Sequence, residues 1–87
     1  MIKIRVHLTR PDPELFNIEP YFFAEKINKK YNEMSRYYNG FYHDREENAT
    51  YYDTALSFLE LWYPEKNYRI KLASFDKEKE IAIFNAI

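Results

Sequence analysis

Residues 2–9 alternate between apolar and polar side chains without a break. The apolar side chains are Ile2, Ile4, Val6 and Leu8, and the polar side chains are Lys3, Arg5, His7 and Thr9. A period of two residues is typical of a β-strand that buries one face and leaves the other in water. Because a strand needs neighbouring strands and a layer to pack on, this segment predicts a sheet as the framework of the fold.

The last third of the chain alternates in the same way. Tyr68, Ile70 and Leu72 alternate with Arg69, Lys71 and Ala73, and Ile81, Ile83 and Asn85 alternate with Ala82, Phe84 and Ala86. The polar run Asp76-Lys77-Glu78-Lys79 between them is typical of a turn, so the pattern predicts a β-hairpin. The outer face of the sheet is then expected to carry Lys3, Arg5, His7, Arg69 and Lys71, which makes it the better candidate for contact with a polyanion.

Residues 18–38 change to a helical spacing. Apolar side chains recur at steps of three and four, at Pro20, Phe23, Ala24, Ile27, Tyr31, Met34 and Tyr38. Asn17 or Glu19 can cap the start of such a helix, and Asn39-Gly40 supplies a left-handed stop. This pattern predicts an amphipathic helix.

Two further segments lie between this predicted helix and the hairpin. Residues 41–48 follow neither period and contain the charged run Asp44-Arg45-Glu46-Glu47, which predicts a loop. Residues 51–63 fit a helix capped by Thr50, but Leu56, Phe58 and Trp62 also fit a strand. Of the two, we favour the helix.

These segments combine into one α+β domain. We expect a small, mostly antiparallel sheet with one or two helices packed on one face, in the order β-α-(α)-β-β. The domain is expected to span residues 1–87, because the chain has one glycine, no repeat and no linker. Without cysteines the domain depends on packing or association, and an edge strand that extends across a two-fold axis would give a homodimer.

Composition and charge exclude several classes of protein. No apolar run approaches the roughly 18 residues of a membrane-spanning helix, and the basic first ten residues do not fit a signal peptide, so we expect a cytoplasmic protein without membrane contact. The chain has 13 basic and 14 acidic residues, which disfavours general binding of nucleic acid. Because Gly40 is the only glycine, the P-loop, the Rossmann turn and the nucleophile elbow are excluded.

The two histidines are the first candidates for catalytic or metal chemistry. His7 as a general base would need a carboxylate or hydroxyl partner, which the sequence alone does not place. His43 and Asp44, with Glu46 and Glu47, could ligate a metal, but their spacing matches no established ligand pattern. We therefore expect no catalytic residues, no cofactor and no metal.

A ribonuclease is the enzyme alternative. The stretch from Asn67-Tyr68-Arg69-Ile70 to Ile81-Ala82-Ile83 resembles the end of the RelE/ParE toxin family. The resemblance covers about a fifth of the chain and implies a small ribonuclease with a terminal antiparallel sheet. The long helical hairpin and the basic surface of that family are not evident in this sequence, so no catalytic residue is carried over.

Aromatic residues make up 20% of the chain, about twice the share expected of a globular domain. Rings that fill a small core explain part of this excess. Others crowd around the predicted loop beside carboxylates, an arrangement typical of a protein interface that receives a basic partner. The expected partner-binding residues are Tyr37, Tyr38, Phe41, Tyr42, Asp44, Glu46, Glu47, Tyr51 and Tyr52.

These features favour a non-enzymatic function. We expect a small protein-binding module, such as an inhibitor, antitoxin-like or adaptor protein, that occupies a surface on a larger protein partner. Stacking of the same rings on unpaired bases makes a single-stranded nucleic-acid-binding protein the second alternative, which the neighbouring carboxylates disfavour. The abundance of Lys, Asn, Tyr and Ile in so short a chain is typical of phage and mobile-element proteins of AT-rich hosts, and we expect that origin.

Overall fold

The computed structural model describes residues 1–9, 21–27, 35–41 and 47–87, with the side chains of 39–41, 47 and 48 excepted. These residues form five strands and one helix. The elements are β1 (Ile2–Thr9), β2 (Tyr21–Lys26), β3 (Arg36–Phe41), α1 (Glu47–Trp62), β4 (Ile70–Asp76) and β5 (Ile81–Ala86).

The strands form one sheet in the order β3-β2-β1-β5-β4, and every neighbouring pair is antiparallel. Strand β1 lies at the centre, between β2 and β5. The chain passes from β3 at one edge to β4 at the other through α1, which packs on one face of the sheet. The predicted α+β class, with a mostly antiparallel sheet and a helix on one face, is confirmed.

Three of the predicted elements are present. The N-terminal strand and the C-terminal hairpin have the expected positions, and the helix favoured for residues 51–63 exists. That helix begins at Glu47, so Thr50 is not its cap but accepts a hydrogen bond of 2.8 Å from the Thr54 hydroxyl through its carbonyl oxygen. In the hairpin turn, the Asp76 carboxylate accepts a bond of 3.1 Å from the Lys79 N–H, and Glu80 adopts a φ of 56°.

The helix predicted for residues 18–38 is wrong. The described parts of this segment are strands β2 and β3, and Asn39-Gly40 lies within β3 instead of ending a helix. In β2, Phe22 and Ala24 point towards α1 while Phe23 and Glu25 point to the other face, and all four are buried. A strand buried on both faces loses its alternation of apolar and polar residues, and a short apolar run of this kind cannot be told from a helix by periodicity.

The core lies between α1 and the sheet. The helix contributes Tyr51, Ala55, Phe58 and Leu59, and the sheet contributes Ile4, Val6, Phe22, Ala24, Ala82, Phe84 and Ala86. Small alanines on β2 and β5 lie beside large rings, so that large and small residues alternate across the packed layers. The helix thus covers one face of the sheet and leaves the second face to a different set of side chains.

Candidate functional site

The face of the sheet opposite α1 carries a cluster of basic and aromatic residues. The strand registers place Arg5 opposite Glu25 and His7 opposite Phe23, and they place Arg36 and Tyr38 of β3 opposite the same two residues of β2. We call this cluster the basic-aromatic face; it consists of Lys3, Arg5, His7, Phe23, Glu25, Arg36 and Tyr38. Its members come from three adjacent strands, so hydrogen-bonded backbone fixes their spacing.

Glu25 is the buried charge of this face. It is 3% exposed, and its Oε1 accepts hydrogen bonds from both Nε and Nη2 of Arg5, the former at 2.5 Å. The Nε of Arg36 lies 3.8 Å from Oε2. A carboxylate removed from water needs such partners, because its charge is otherwise strongly unfavourable there. Two guanidinium groups around one carboxylate leave an excess of one positive charge at the surface.

His7 lies beside this ion pair. Its Nε2 is 3.9 Å from Glu25 Oε1, is buried, and finds no hydrogen-bond partner among the described residues. Burial lowers the pKa of His7 below its usual 6.5; Glu25 opposes this shift, and Arg5 and Arg36 add to it. The imidazole is therefore neutral at pH 7. It could accept a proton, but the nearby carboxylate is already bonded to Arg5 and almost inaccessible, which weighs against acid-base catalysis by this pair.

Phe23 and Tyr38 form the aromatic part of the face. Phe23 is 5% exposed. It packs against His7 in a T-shaped arrangement with ring centroids 4.6 Å apart, and the Arg36 guanidinium lies 5.8 Å from the Phe23 centroid. The Tyr38 ring lies over Phe23 at 4.7 Å with a tilt of 31°, yet Tyr38 remains 59% exposed. One fixed ring therefore supports a second ring that is open to a ligand.

The predicted partner-binding residues that the structure describes do not share one surface. Tyr51 is buried in the core with its ring 4.9 Å from Phe22, because the helical period places it on the same side of α1 as Ala55 and Phe58. Tyr37 is half-buried and packs against that core from β3. Tyr52 is partly exposed on the helix side of the sheet, against Phe84, and Tyr38 alone reaches the basic-aromatic face.

The remaining predicted partner-binding residues stay a prediction. Phe41 and Glu47 belong to β3 and α1, but their side chains are outside the described part of the structure. Tyr42, Asp44 and Glu46 lie wholly outside the described residues, as does His43 with the metal site considered for it. Within the described ranges no group of three or more histidine or acidic side chains could hold a metal ion.

Sequence reasoning missed Phe23, Glu25 and Arg36 as members of the site. It placed all three on one predicted helix, which separated them from β1. No periodic signal in the sequence could have found them, because Phe22-Phe23-Ala24-Glu25 does not alternate between apolar and polar residues. Lys3, Arg5 and His7 lie on the outer face that their own alternation predicted.

A cleft at the C-terminal end of α1 is too small for a typical ligand. It is lined by Leu59, Tyr63, Pro64 and Tyr68 among others and has a volume of about 210 Å³. Small-molecule sites usually enclose about 300 to 1,000 Å³. In the described part of the chain no helix is both long and apolar enough to cross a membrane.

Comparison with protein-family models, characterised proteins and solved structures found no match to this chain. The two faces of the sheet and the exposed side of α1 are therefore the basis for inferring function.

Replacing Glu25 with glutamine should destabilise the fold. The variant removes the carboxylate that both guanidinium groups contact and leaves a neutral amide in its buried position. Breaking a fully buried pair costs about 3 to 5 kcal/mol, and we expect about 2 to 3 kcal/mol here because the Arg5 side chain is 39% exposed. Urea denaturation measures the loss, and exposed Glu65→Gln is the matched control, expected within about 0.5 kcal/mol of the wild type. Equal stability of both variants would contradict a paired, buried Glu25.

The stability of the protein should fall as the pH drops below 6.5. The unfolded chain protonates His7 at its usual pKa of 6.5, whereas the folded protein keeps the imidazole neutral to a lower pH. The contribution of His7 is therefore present above pH 6.5, is lost as the pH falls towards the folded pKa, and is constant below it. Denaturation at a series of pH values should show a smaller slope in His7→Gln than in the wild type. Identical slopes would show that His7 is not held neutral.

Proposed function

We propose that this chain is a non-enzymatic binding protein of the cytoplasm that holds single-stranded nucleic acid on its basic-aromatic face. The observation that supports this most directly is the Tyr38 ring, which is exposed, lies over a buried Phe23 and has Arg36 on the same strand. In the sequence, nearby acidic residues disfavoured nucleic acid as a ligand. Those acidic side chains, of Asp44, Glu46 and Glu47, lie outside the described part of the structure, and within it Tyr38 lies over an aromatic ring on a basic face.

Stacking is the chemistry that Tyr38 offers to a ligand. Every base has a π-face, so an exposed ring can bind any unpaired base, at about 1 to 3 kcal/mol per base. Phe23 is buried in the sheet and packs against His7 and Arg36. The platform is thus ordered before the ligand arrives, which lowers the entropy cost of binding. A base paired within a duplex does not expose its face in this way, so the proposed ligand is single-stranded.

The charges around Tyr38 favour a polyanion. The registers place Lys3, Arg5 and Arg36 on this face with the carboxylate of Glu25, and they place Lys71 and Asp76 of β4 on the same side of the sheet. Arg5 pairs most closely with Glu25, and Arg36 lies 3.8 Å from the same carboxylate with its side chain 53% exposed. Lys3 and the exposed part of Arg36 can therefore contact phosphates. A local excess of positive charge can exist in a chain whose net charge is −1, because net charge does not report how the charges are distributed over the surface.

Replacing Tyr38 with alanine should weaken binding of single-stranded nucleic acid about tenfold. This follows from the loss of one stacked base, since 1.4 kcal/mol corresponds to a factor of ten. Fluorescence anisotropy with a labelled mixed-sequence RNA, and with DNA of the same sequence, measures the change. Lys3→Gln should reduce the dependence of the logarithm of affinity on the logarithm of salt by about 0.7, the value for one phosphate contact with a single strand.

Two matched variants control this experiment. Trp62→Ala removes an exposed ring from α1, on the other side of the sheet, and Lys77→Gln removes a charge from the hairpin turn. Neither should change the affinity or its salt dependence. Absence of binding by the wild type at low salt, or equal losses in Tyr38→Ala and Trp62→Ala, would contradict the proposal. Cleavage of the RNA that disappears in His7→Gln would favour the ribonuclease alternative.

The exposed end of α1 favours a second candidate function, the binding of a larger protein partner. Leu61 is 58% exposed and Trp62 46% exposed, and both lie in the last turn of the helix. Tryptophan is enriched among interface residues that contribute most to affinity, and neighbouring exposed apolar side chains often mark a docking site. This keeps the inhibitor or adaptor function as an alternative, at a different surface from the predicted loop.

This second candidate predicts that one host protein binds the wild type but not Trp62→Ala. The loss is expected because truncation of a central interface tryptophan typically costs 2 kcal/mol or more, roughly thirtyfold in affinity. The measurement is retention from a nuclease-treated lysate, followed by titration of the purified partner. Tyr38→Ala is the matched control and should bind normally. Retention that is equal in all three proteins would exclude the end of α1 as the binding surface.

A further inference from the structure

Strand β4 is an open edge of the sheet with apolar side chains in water. Its inner side pairs with β5, and its outer side has no strand partner in the described part of the chain. Residues 71–76 are all exposed, and they include Leu72 at 40% and Phe75 at 38%. An unpaired strand of this length presents a row of backbone donors and acceptors to any strand that can approach it.

A β-bulge in this strand sets which side chains share a face. Leu72 lies opposite Phe84 and Phe75 lies opposite Ala82, both core residues, so Leu72 and Phe75 point to the helix side. The ring contact of 5.4 Å between Phe75 and Tyr51 of α1 agrees with this orientation. The register shift between Leu72 and Ser74 makes this possible, since without the extra residue the two side chains would point to opposite faces.

The backbone groups of Leu72 and Phe75 point away from β5. Arg69 and Ile87 exchange hydrogen bonds of 3.0 and 2.9 Å, so by alternation the N–H and C=O groups of Leu72 point to the open edge. At the other end of the strand, the Glu80 carbonyl oxygen accepts a hydrogen bond of 3.1 Å from the Leu8 N–H of β1. Because successive residues of a strand alternate in direction, the N–H and C=O groups of Ile81 point towards β4. Asp76, opposite Ile81, is therefore bonded to β5, and Phe75 faces outward.

One antiparallel register of β4 with a second copy of itself satisfies all of these directions. It places Leu72 opposite Phe75 of the second copy, where both present outward backbone groups and both point to the helix side. The same register places Lys71 opposite Asp76 of the second copy, which is a pair of opposite charge. If the second copy were shifted by two residues in either direction, the bulge of one strand would lie opposite a residue outside the bulge of the other. Paired side chains would then point to opposite faces of the sheet.

We propose that the protein forms a two-fold symmetric dimer through β4, in which Leu72 contacts Phe75 of the second copy and Lys71 pairs with its Asp76. Each of these contacts occurs twice because of the symmetry. A two-fold axis perpendicular to the sheet joins the two five-stranded sheets into one continuous sheet. Both helices then lie on one side, and both basic-aromatic faces lie on the other.

Charge exchange tests the register of this dimer. Sedimentation velocity over a series of protein concentrations should show a dimer for the wild type. In Lys71→Glu, the new carboxylate faces the Asp76 carboxylate of the second copy, and the two-fold axis repeats this repulsive pair. The change should weaken the dimer by at least about tenfold, or 1.4 kcal/mol. The double variant Lys71→Glu with Asp76→Lys restores opposite charges and should recover the dimer. Lys3→Glu, a charge reversal on the central strand, is the matched control and should leave it intact.

A second pair of variants keeps the test valid if Asp76→Lys disturbs the hairpin turn. Leu72→Glu places a charge at the centre of the proposed interface, whereas Leu61→Glu places one on the exposed side of α1. The first should give a folded monomer, with the circular dichroism of the wild type, and the second a dimer. A wild type that stays monomeric at every concentration, or a dimer that persists in both Lys71→Glu and Leu72→Glu, would overturn the proposal.

Discussion

Strand β1 lies at the centre of the sheet, and the alternation of its side chains determines what each face of the protein carries. Its backbone is hydrogen-bonded to β2 on one side and to β5 on the other. Ile4 and Val6 are fully buried under α1, while Arg5 and His7 point to the opposite face. A shift of register by one residue would exchange the two sets, so the core and the basic-aromatic face depend on the same pairing.

The second face carries a buried charge because β2 is covered on both sides. Glu25 and Phe23 are nearly as inaccessible as the core residues Phe22 and Ala24 beside them. Arg5 and Arg36 compensate the carboxylate, and Arg36 and His7 also hold the Phe23 ring. The same groups that make burial of Glu25 tolerable therefore immobilise the ring beneath Tyr38. Stability and the proposed binding surface rest on one set of contacts.

The candidate site could be predicted only in part from sequence. The alternation of β1 places Arg5 and His7 on a polar face, because one of its sides is apolar and the other polar. Glu25 and Arg36 could not be assigned to that face, since their partners are distant in sequence and the local pattern in β2 fits a helix. Only the pairing of β2 with β1 and β3 brings these charges within contact distance.

The sequence by itself determined the N-terminal strand, the C-terminal hairpin and hence an α+β domain, and it favoured a helix before the hairpin. In each of these elements one side is apolar and the other polar, and the period of that contrast reports the local conformation. Tertiary structure alone decided that β2 and β3 are strands and that the bulge turns Leu72 and Phe75 to the same face. These features depend on burial from two sides and on cross-strand register, which are properties of neighbouring segments and leave no period in the segment itself.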